Sequence, residues 1–407
     1  MASAEIKNPF RPGAGHMPPY LAGREDEQKQ FLRLLEQDVV MENLILTGLR
    51  GVGKTVLLET FKPLAHKAGL LWVGTDLSES TSMSEERLAL RVMADLAVVT
   101  SPMVVATKEL RGIGFNAPSK TVSRGLDFAL MKHIFDATPG LVSDKLKAVI
   151  EFVWSHVKGH KAKGILFAYD EAQVLGDHAD KGEYPLSLLL DVFQSIQRKN
   201  VPFMLVLTGL PTLFPRLVEA RTYSERMFRT VTLSKLDAKA SREAIQKPLN
   251  EESQRHRLPT AVVDEIVTIS SGYPYFIQFL CREIYDVFFQ QVRDGKPTVP
   301  LPAIIRKLDT DFYAGRWARV TDRQRELLIV IAHLHDADEE FTVQEIVTLS
   351  TKMKKQLFGK PFSASHANQM LSALTKAGLV YKNRHGRYSF AVPLLGQFIR
   401  RQEAEGS

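Results

Sequence analysis

An α/β architecture is expected of this chain: a mostly parallel sheet with helices on both faces, then an all-helical part, then a small helix-and-hairpin part. Three observations carry the expectation. Ile165–Tyr169 and Phe203–Leu207 are unbroken apolar runs of strand length, as strands buried on both faces of a parallel sheet must be. Between them Leu186, Leu189, Val192, Phe193 and Ile196 recur at helical spacing. A third apolar run, Asn43–Leu49, ends in glycine-rich sequence that opens another helix. Strand–helix alternation around wholly apolar strands is what a helix-covered sheet looks like in sequence.

In chain order, residues 1–20 are rich in Pro and Gly and form an extended arm. The strand at Asn43 leads into a helix over Thr55–Lys67, with Val56, Leu57, Phe61, Leu64 and Ala65 on one side. Leu70–Leu77 is again strand-like. Ala97–Gly140 holds apolar pieces and three glycines before Gly140 but no clear period, so it is expected as an insertion (about 97–140) with no function assigned. After Leu236 the pattern turns helical, over Ser241–Leu249, Ala261–Ser270 and Tyr275–Gln291, until Pro297, Pro300 and Pro302 break it. From Thr321 come three further helices, over Arg323–His333, Val343–Met353 and Ser363–Ala377. An acidic loop, Asp336–Glu340, follows the first of them. Two alternating runs, Leu379–Lys382 and Arg387–Phe390, then flank the turn-forming cluster Asn383–Gly386. Three helices and a hairpin make a winged helix.

Composition narrows the function classes. The lone cysteine, Cys281, cannot form an internal disulfide and stands outside any metal-ligand pattern, so it is expected as a small helix residue in a protein of the reducing cytosol. Met1–Gly15 lacks the apolar centre of a signal peptide, and no apolar run is long enough for a membrane span; a cytoplasmic protein without a membrane partner is expected. Charge is unevenly spread. Residues 351–401 hold ten Lys or Arg and no Asp or Glu, leaving 43 basic against 46 acidic residues elsewhere. Such a one-sided segment attracts phosphate, which makes double-stranded DNA the expected partner.

Gly48, Leu49, Arg50, Gly51, Val52, Gly53, Lys54 and Thr55 match G-x-x-x-x-G-K-[ST] between a strand and a helix, the context that motif needs. Glycines let successive backbone N–H groups and the helix N-terminus, up to Val56, turn toward phosphate oxygens. Lys54 then pairs with the β- and γ-phosphates of ATP, and the Thr55 hydroxyl helps hold Mg²⁺. Asp170 and Glu171 directly follow the apolar strand ending at Tyr169. Carboxylates in such a place are costly unless used. Asp170 is suited to organising Mg²⁺ and Glu171 to acting as the general base on the attacking water. Thr208 ends the next apolar strand, between the two motif strands, and is a candidate to position that water.

With these residues the chain resembles the AAA+ superfamily of P-loop NTPases, and within it the origin-recognition-like (replication initiator) clade and its bacterial relatives, over about 19–401. The resemblance implies a nucleotide-binding domain over 21–236, a helical lid over 237–312 and a winged helix over 313–407. Leu21, Gly23 and Arg24 resemble the segment that contacts adenine in that clade, and Thr208–Pro211 the sensor-1 strand end. Gly272–Tyr275 holds the place of the sensor-2 helix start, but Tyr275 and Phe276 stand where many initiators carry an arginine, which implies slow hydrolysis. AAA+ sites lie between subunits, so self-association through the ATP site is implied. Arg226 is then the candidate arginine finger, with Arg229 in reserve.

In the winged helix, Lys376 with Ser365, His366, Asn368 and Gln369 would line the helix that enters the major groove, and Lys382, Arg384, His385 and Arg387 the wing. Two functions follow. One is an ATPase that binds DNA through the winged helix, with ATP controlling assembly and hydrolysis resetting it. The other is a signalling or defence-type nucleotide switch whose winged helix packs against protein; the aromatic residues at the lid helix resemble those of signal-transduction ATPases. A metabolic P-loop kinase is disfavoured, because no acceptor-substrate domain is evident.

Overall fold

In the computed structural model the chain is described over residues 8–13, 15–110, 120–160, 162–250, 258–293, 300–335, 339–353, 360–384 and 386–406. It divides into two compact units. One joins residues 25–47 with 57–232; the other joins residues 1–24, 48–56 and 233–407.

The first unit is the sheet. Its elements are α1 (Glu25–Leu35), β1 (Asn43–Thr47), most of α2 (Lys54–Lys67), β2 (Leu70–Asp76), α3 (Glu85–Thr100), β3 (Val104–Leu110), β4 (Lys120–Gly125), α4 (Phe128–Ala137), α5 (Val142–Val157), β5 (Gly164–Asp170), α6 (Pro185–Arg198), β6 (Phe203–Gly209), α7 (Leu213–Ala220), α8 (Ser224–Met227) and β7 (Phe228–Thr232). Five strands pair in the order β2-β5-β6-β1-β7, all parallel. Every residue of β1, β5 and β6 is buried. Ile165, Phe167 and Tyr169 share one apolar core with Leu88, Val149 and Phe193 from α3, α5 and α6. Leu166 and Ala168, which alternate with them, point to the other face and are buried too. That is the physical reason these strands read as unbroken apolar runs.

The stretch 97–140, expected as an insertion without a clear period, holds regular elements. It consists of the end of α3, an antiparallel hairpin of β3 and β4, and α4. Three elements of different period in so short a stretch, with polar Thr107, Lys108 and Glu109 in the hairpin, hide any single repeat. Residues 111–119 lie outside the described residues.

Gly74 sits where β2 meets β5, paired with Ala168. A Cβ there would come 1.9 Å from the Ala168 carbonyl oxygen, so the strands would have to part. Gly74→Ala is expected to cost about 1–3 kcal/mol, the usual cost of overpacking. A chemical-denaturation midpoint read against wild type checks it, and an unchanged midpoint would show that β2 yields there freely.

The second unit holds α9 (Ala238–Asn250), α10 (Thr260–Ser270), α11 (Pro274–Arg293), α12 (Leu301–Leu308), a π-helical turn over Asp309–Ala314, α13 (Gly315–Trp317), α14 (Asp322–Ala332), β8 (Phe341–Thr342), α15 (Val343–Lys352), α16 (Ala364–Lys376), β9 (Val380–Arg384), β10 (Arg387–Phe390) and α17 (Leu395–Gly406). Pro300 and Pro302, expected as breakers, stand where α12 begins, Pro300 as its N-cap and Pro302 in its first turn, where a residue has no helical N–H bond to lose. Reciprocal capping boxes start α14 (Thr321 with Gln324) and α15 (Thr342 with Glu345), and the Ser363 hydroxyl caps α16. β8, β10 and β9 form a three-stranded antiparallel sheet. β8 and α17 were not anticipated from sequence.

One continuous apolar core runs through this unit. Tyr313, fully buried in the π-turn, stacks on Phe398 of α17 at 4.9 Å, and its hydroxyl donates to the Pro393 carbonyl at 2.9 Å. Arg401 of α17 forms a buttressing ion pair with Asp309. Cys281 is buried in α11, where burial pushes its thiol far above the usual range, in keeping with a packing role. The arm shows no helix or strand over its described residues, and Phe10 packs edge-on against Tyr285 of α11. Residues 1–7 of the arm, Pro297, residues 336–338 of the acidic loop and His385 lie outside the described residues.

Candidate functional site

The glycine loop belongs to the second unit. Gly51 and Gly53 have φ of +78° and +91°, a backbone that only glycine adopts without strain. Successive residues in such geometry turn their N–H groups to one side, the usual basis of a phosphate cradle. At Gly48 a Cβ would meet the Leu233 carbonyl oxygen at 2.6 Å, so the loop can lie this close to that strand end only as glycine. Lys54 opens α2, and its ammonium donates to the carbonyls of Gly48 and Leu49, both at 3.0 Å, which holds the charge within the turn. No acidic side chain stands in the first turn of α2. The positive end of that helix is thus free of carboxylates of its own.

Neighbours brace the loop. The Arg24 side chain, 4% exposed, donates to the Val52 carbonyl at 3.0 Å and the Ser234 carbonyl at 2.7 Å. Leu21 and Gly23 are half-buried beside it, and Gly23 faces Ala240 of α9. The Tyr275 N–H donates to the Gly51 carbonyl at 3.2 Å, so the start of α11 is tied to the loop by backbone. Arg316 lies over the Phe312 ring at 4.8 Å, and that ring packs against Tyr275. Burial, and then the nearby Arg50 cation, lower the Arg316 pKa from its ordinary value. A cation thus stands near the loop although Tyr275 is not one.

The strand ends belong to the first unit. β6 lies between β1 and β5, as expected for Thr208. Tyr169 pairs with Leu207, so Asp170 and Thr208 follow as neighbours at the carboxyl edge. Asp170 is buried, and its carboxylate accepts from the Glu171 N–H at 2.7 Å. Glu171 is exposed and takes a left-handed backbone, φ 52° and ψ 30°, which costs a non-glycine residue about 1–2 kcal/mol. Thr208 is fully buried, and its hydroxyl has no hydrogen-bond partner among the described residues. Such a hydroxyl costs about 1–3 kcal/mol unless water or a polar ligand meets it. Gln173, passed over in the sequence, contacts both Glu171 and the loop after Thr208; its only sequence signal is an amide two residues after the acidic pair.

Three arginines after β6 are in different states. Arg221 grips Asp191 through two hydrogen bonds, of 2.9 and 2.8 Å, joined by the Tyr223 hydroxyl at 2.6 Å. Burial works against the Asp191 charge, but the Arg221 and Tyr223 bonds outweigh it and hold the carboxyl below its usual range. Arg229 pairs with Glu42 at 2.8 Å. Arg226 is exposed and has no ion pair among the described residues.

At the C-terminus, α16 buries Ala367, Met370, Leu371 and Leu374 and leaves Ser365, Asn368, Gln369 and Lys376 exposed, with His366 half-buried. Lys382 on β9 is exposed and Arg387 on β10 is half-buried; Arg384 ends β9. Among the described residues no group of three or more His, Cys, Asp or Glu converges, so no all-protein metal cage stands there. A divalent ion suits the set nonetheless, because Mg²⁺ is usually held by one or two protein oxygens together with substrate phosphates. Among the described residues no helix is long and apolar enough to cross a membrane.

A profile described as a domain of unknown function, DUF8462, matches residues 310–399. No curated protein matches the chain. Among solved structures, the ADP form of the Aeropyrum pernix ORC2 protein aligns with a TM-score of 0.55 at 14% identity, over 97% of this chain and 98% of that one. The same protein in its ADPNP–ADP complexes aligns at 0.52, again 14% identical, with the same shares covered. At this identity the likeness speaks for architecture. The parallel five-stranded sheet with the helices around it has the AAA+ P-loop fold, as in that ORC2 protein.

Proposed function

We propose that the chain is an ATP-binding ATPase that engages double-stranded DNA through its C-terminal winged helix (313–407), with ATP controlling assembly and hydrolysis resetting it. The observation that carries the reading is the glycine loop: two positive-φ glycines, an inward-held lysine and a helix start without acids form an anion cradle. The solved relatives of this fold are nucleotide complexes, which supports the same substrate class.

Mg-ATP, when bound, supplies the electrophilic phosphorus and a cation that draws charge from it. The chain's residues divide the rest. Backbone N–H groups of Leu49 through Val56 and the Lys54 ammonium bind the phosphates, and Leu21, Gly23 and Arg24 border the base. Thr55 and Asp170 would hold the Mg²⁺. The Glu171 carboxylate accepts the proton of the attacking water, which Thr208 orients. Arg226, exposed and without an ion pair among the described residues, serves the nucleotide of a neighbouring copy, so self-association completes the site.

For DNA, the exposed polar face of α16 with Lys376 and the hairpin with Lys382, Arg384 and Arg387 form the contact surface. Labelled duplex DNA is titrated at several salt concentrations, with ATP and with ADP. Wild type is expected to bind with a steep salt dependence, more tightly with ATP; the Arg384→Glu/Arg387→Glu variant is expected to bind at least ~10-fold more weakly with a shallower slope. No binding at moderate salt in either nucleotide state would overturn the DNA reading.

One observation favours the alternative, a nucleotide switch whose winged helix is a packing module. A cavity of about 260 Å³ is lined by Leu49 of the glycine loop, Tyr273 beside α11, and His335, Pro393 and Arg400 of the C-terminal region. In that reading ATPase turnover is indifferent to DNA, and the winged helix meets protein.

A further inference from the structure

We propose that Gln173 is the positioning residue of the ATPase site: it aims the Glu171 carboxylate and couples it to the strand end that carries Thr208. The inference rests on the reading of Glu171 as general base, and it concerns a residue that the G-x-x-x-x-G-K-[ST] motif and the acidic pair leave out.

Glu171 needs such a partner. Its side chain is exposed, at the first residue beyond β5, so packing does not choose its rotamer. Gln173 follows in the short helical turn Ala172–Val174, and its Nε2 donates to Glu171 Oε2. The other end of the same amide is engaged too: Oε1 accepts the Leu210 N–H at 3.1 Å, two residues beyond Thr208. These partners fix which end is oxygen, since a carboxylate takes only a donor and an N–H only an acceptor. Arg216 donates to the Gln173 carbonyl at 2.6 Å and pins the backbone from which the side chain springs.

The opposite strand end leaves room for this bridge. A Cβ on Gly209 would come 2.8 Å from Gln173 Oε1 and 3.3 Å from its backbone nitrogen. The amide therefore occupies the space that any larger residue at Gly209 would fill. A base held at both ends of one amide is held in register with the sensor strand, so a shift of β6 is passed to Glu171 through a single side chain. No other residue type does both jobs at this length: Glu keeps the acceptor but repels Glu171, and Leu keeps neither bond.

Four variants of the full-length chain are compared with wild type: Gln173→Leu, Gln173→Glu, Gly209→Ala and Glu171→Gln. Turnover of Mg-ATP is measured across pH, and affinity for a fluorescent ATP analogue reports an intact nucleotide site. Gln173→Leu and Gly209→Ala are expected to lower kcat about 10- to 100-fold, the cost of a misplaced base, with affinity near that of wild type. Gln173→Glu is expected to lower kcat as well and to move the acidic limb of the pH–rate profile upward, because a second carboxylate disfavours ionised Glu171. A purely structural role for Gln173 would lower affinity and kcat together in Gln173→Leu. Wild-type kcat and pH profile in Gln173→Glu and Gln173→Leu, with Glu171→Gln inactive, overturn the positioning role alone. Full turnover in Glu171→Gln, or none in wild type, overturns the reading of Glu171, and the role of Gln173 with it.

Discussion

ATP turnover by Glu171→Gln is expected to fall about 10²–10⁴-fold, the range for loss of a general base, while ATP still binds. The substitution keeps the size and the hydrogen-bonding reach of the side chain but removes its affinity for a proton. The glycine loop belongs to a different stretch of chain and keeps its own bonds: Lys54 to Gly48 and Leu49, Arg24 to Val52, Tyr275 to Gly51. Steady-state phosphate release measures the loss, and equilibrium binding of a fluorescent ATP analogue measures what remains. Retained turnover would mean that another group takes the proton. Joint loss of binding and turnover would place Glu171 in the binding machinery instead.

Lys54→Ala is expected to do the reverse and remove nucleotide affinity. A charge-assisted hydrogen bond contributes about 1.5–3 kcal/mol, so losing the ammonium should weaken ATP binding by ~10²-fold, and turnover at moderate ATP should fall at least as far. The same ammonium also closes the loop by bonding two of its carbonyls, so the free loop should loosen in the variant. Calorimetric titration with ATP checks the affinity, and a thermal melt separates a local loss from unfolding. Near-wild-type affinity would leave the loop as a strand–helix turn with no anion to hold.

What the sequence disclosed depended on how locally each feature is encoded. The glycine loop and the acidic pair each sit in a few consecutive residues, and the apolar strands read clearly because both of their faces are covered. Thr208 was placed between the motif strands from one strand's end, and the observed order β5-β6-β1 puts it there. Gln173 stayed invisible because its meaning depends on Leu210, a residue 37 positions away. β8 is two residues long, below any detectable period, and α17 offers only Leu395, Phe398 and Ile399 before its charged turns. The prolines near residue 300 showed a break but not the helix that starts there: a helix ends before proline and also begins at one, and spacing alone does not separate the cases.

The stacking of Tyr313 on Phe398 bears on how the second unit can move. A flexible tether between lid and C-terminal hairpin would let each wander on its own. Here the π-turn, α17 and the turn at Pro393 are joined through one buried aromatic pair and one hydrogen bond, while the start of α11 is bonded to Gly51. Among the described residues, ring contacts link Tyr275, bonded to Gly51, through Phe312 and Tyr313 to Phe398 of α17. Through these rings a shift at the glycine loop is expected to be passed to α17.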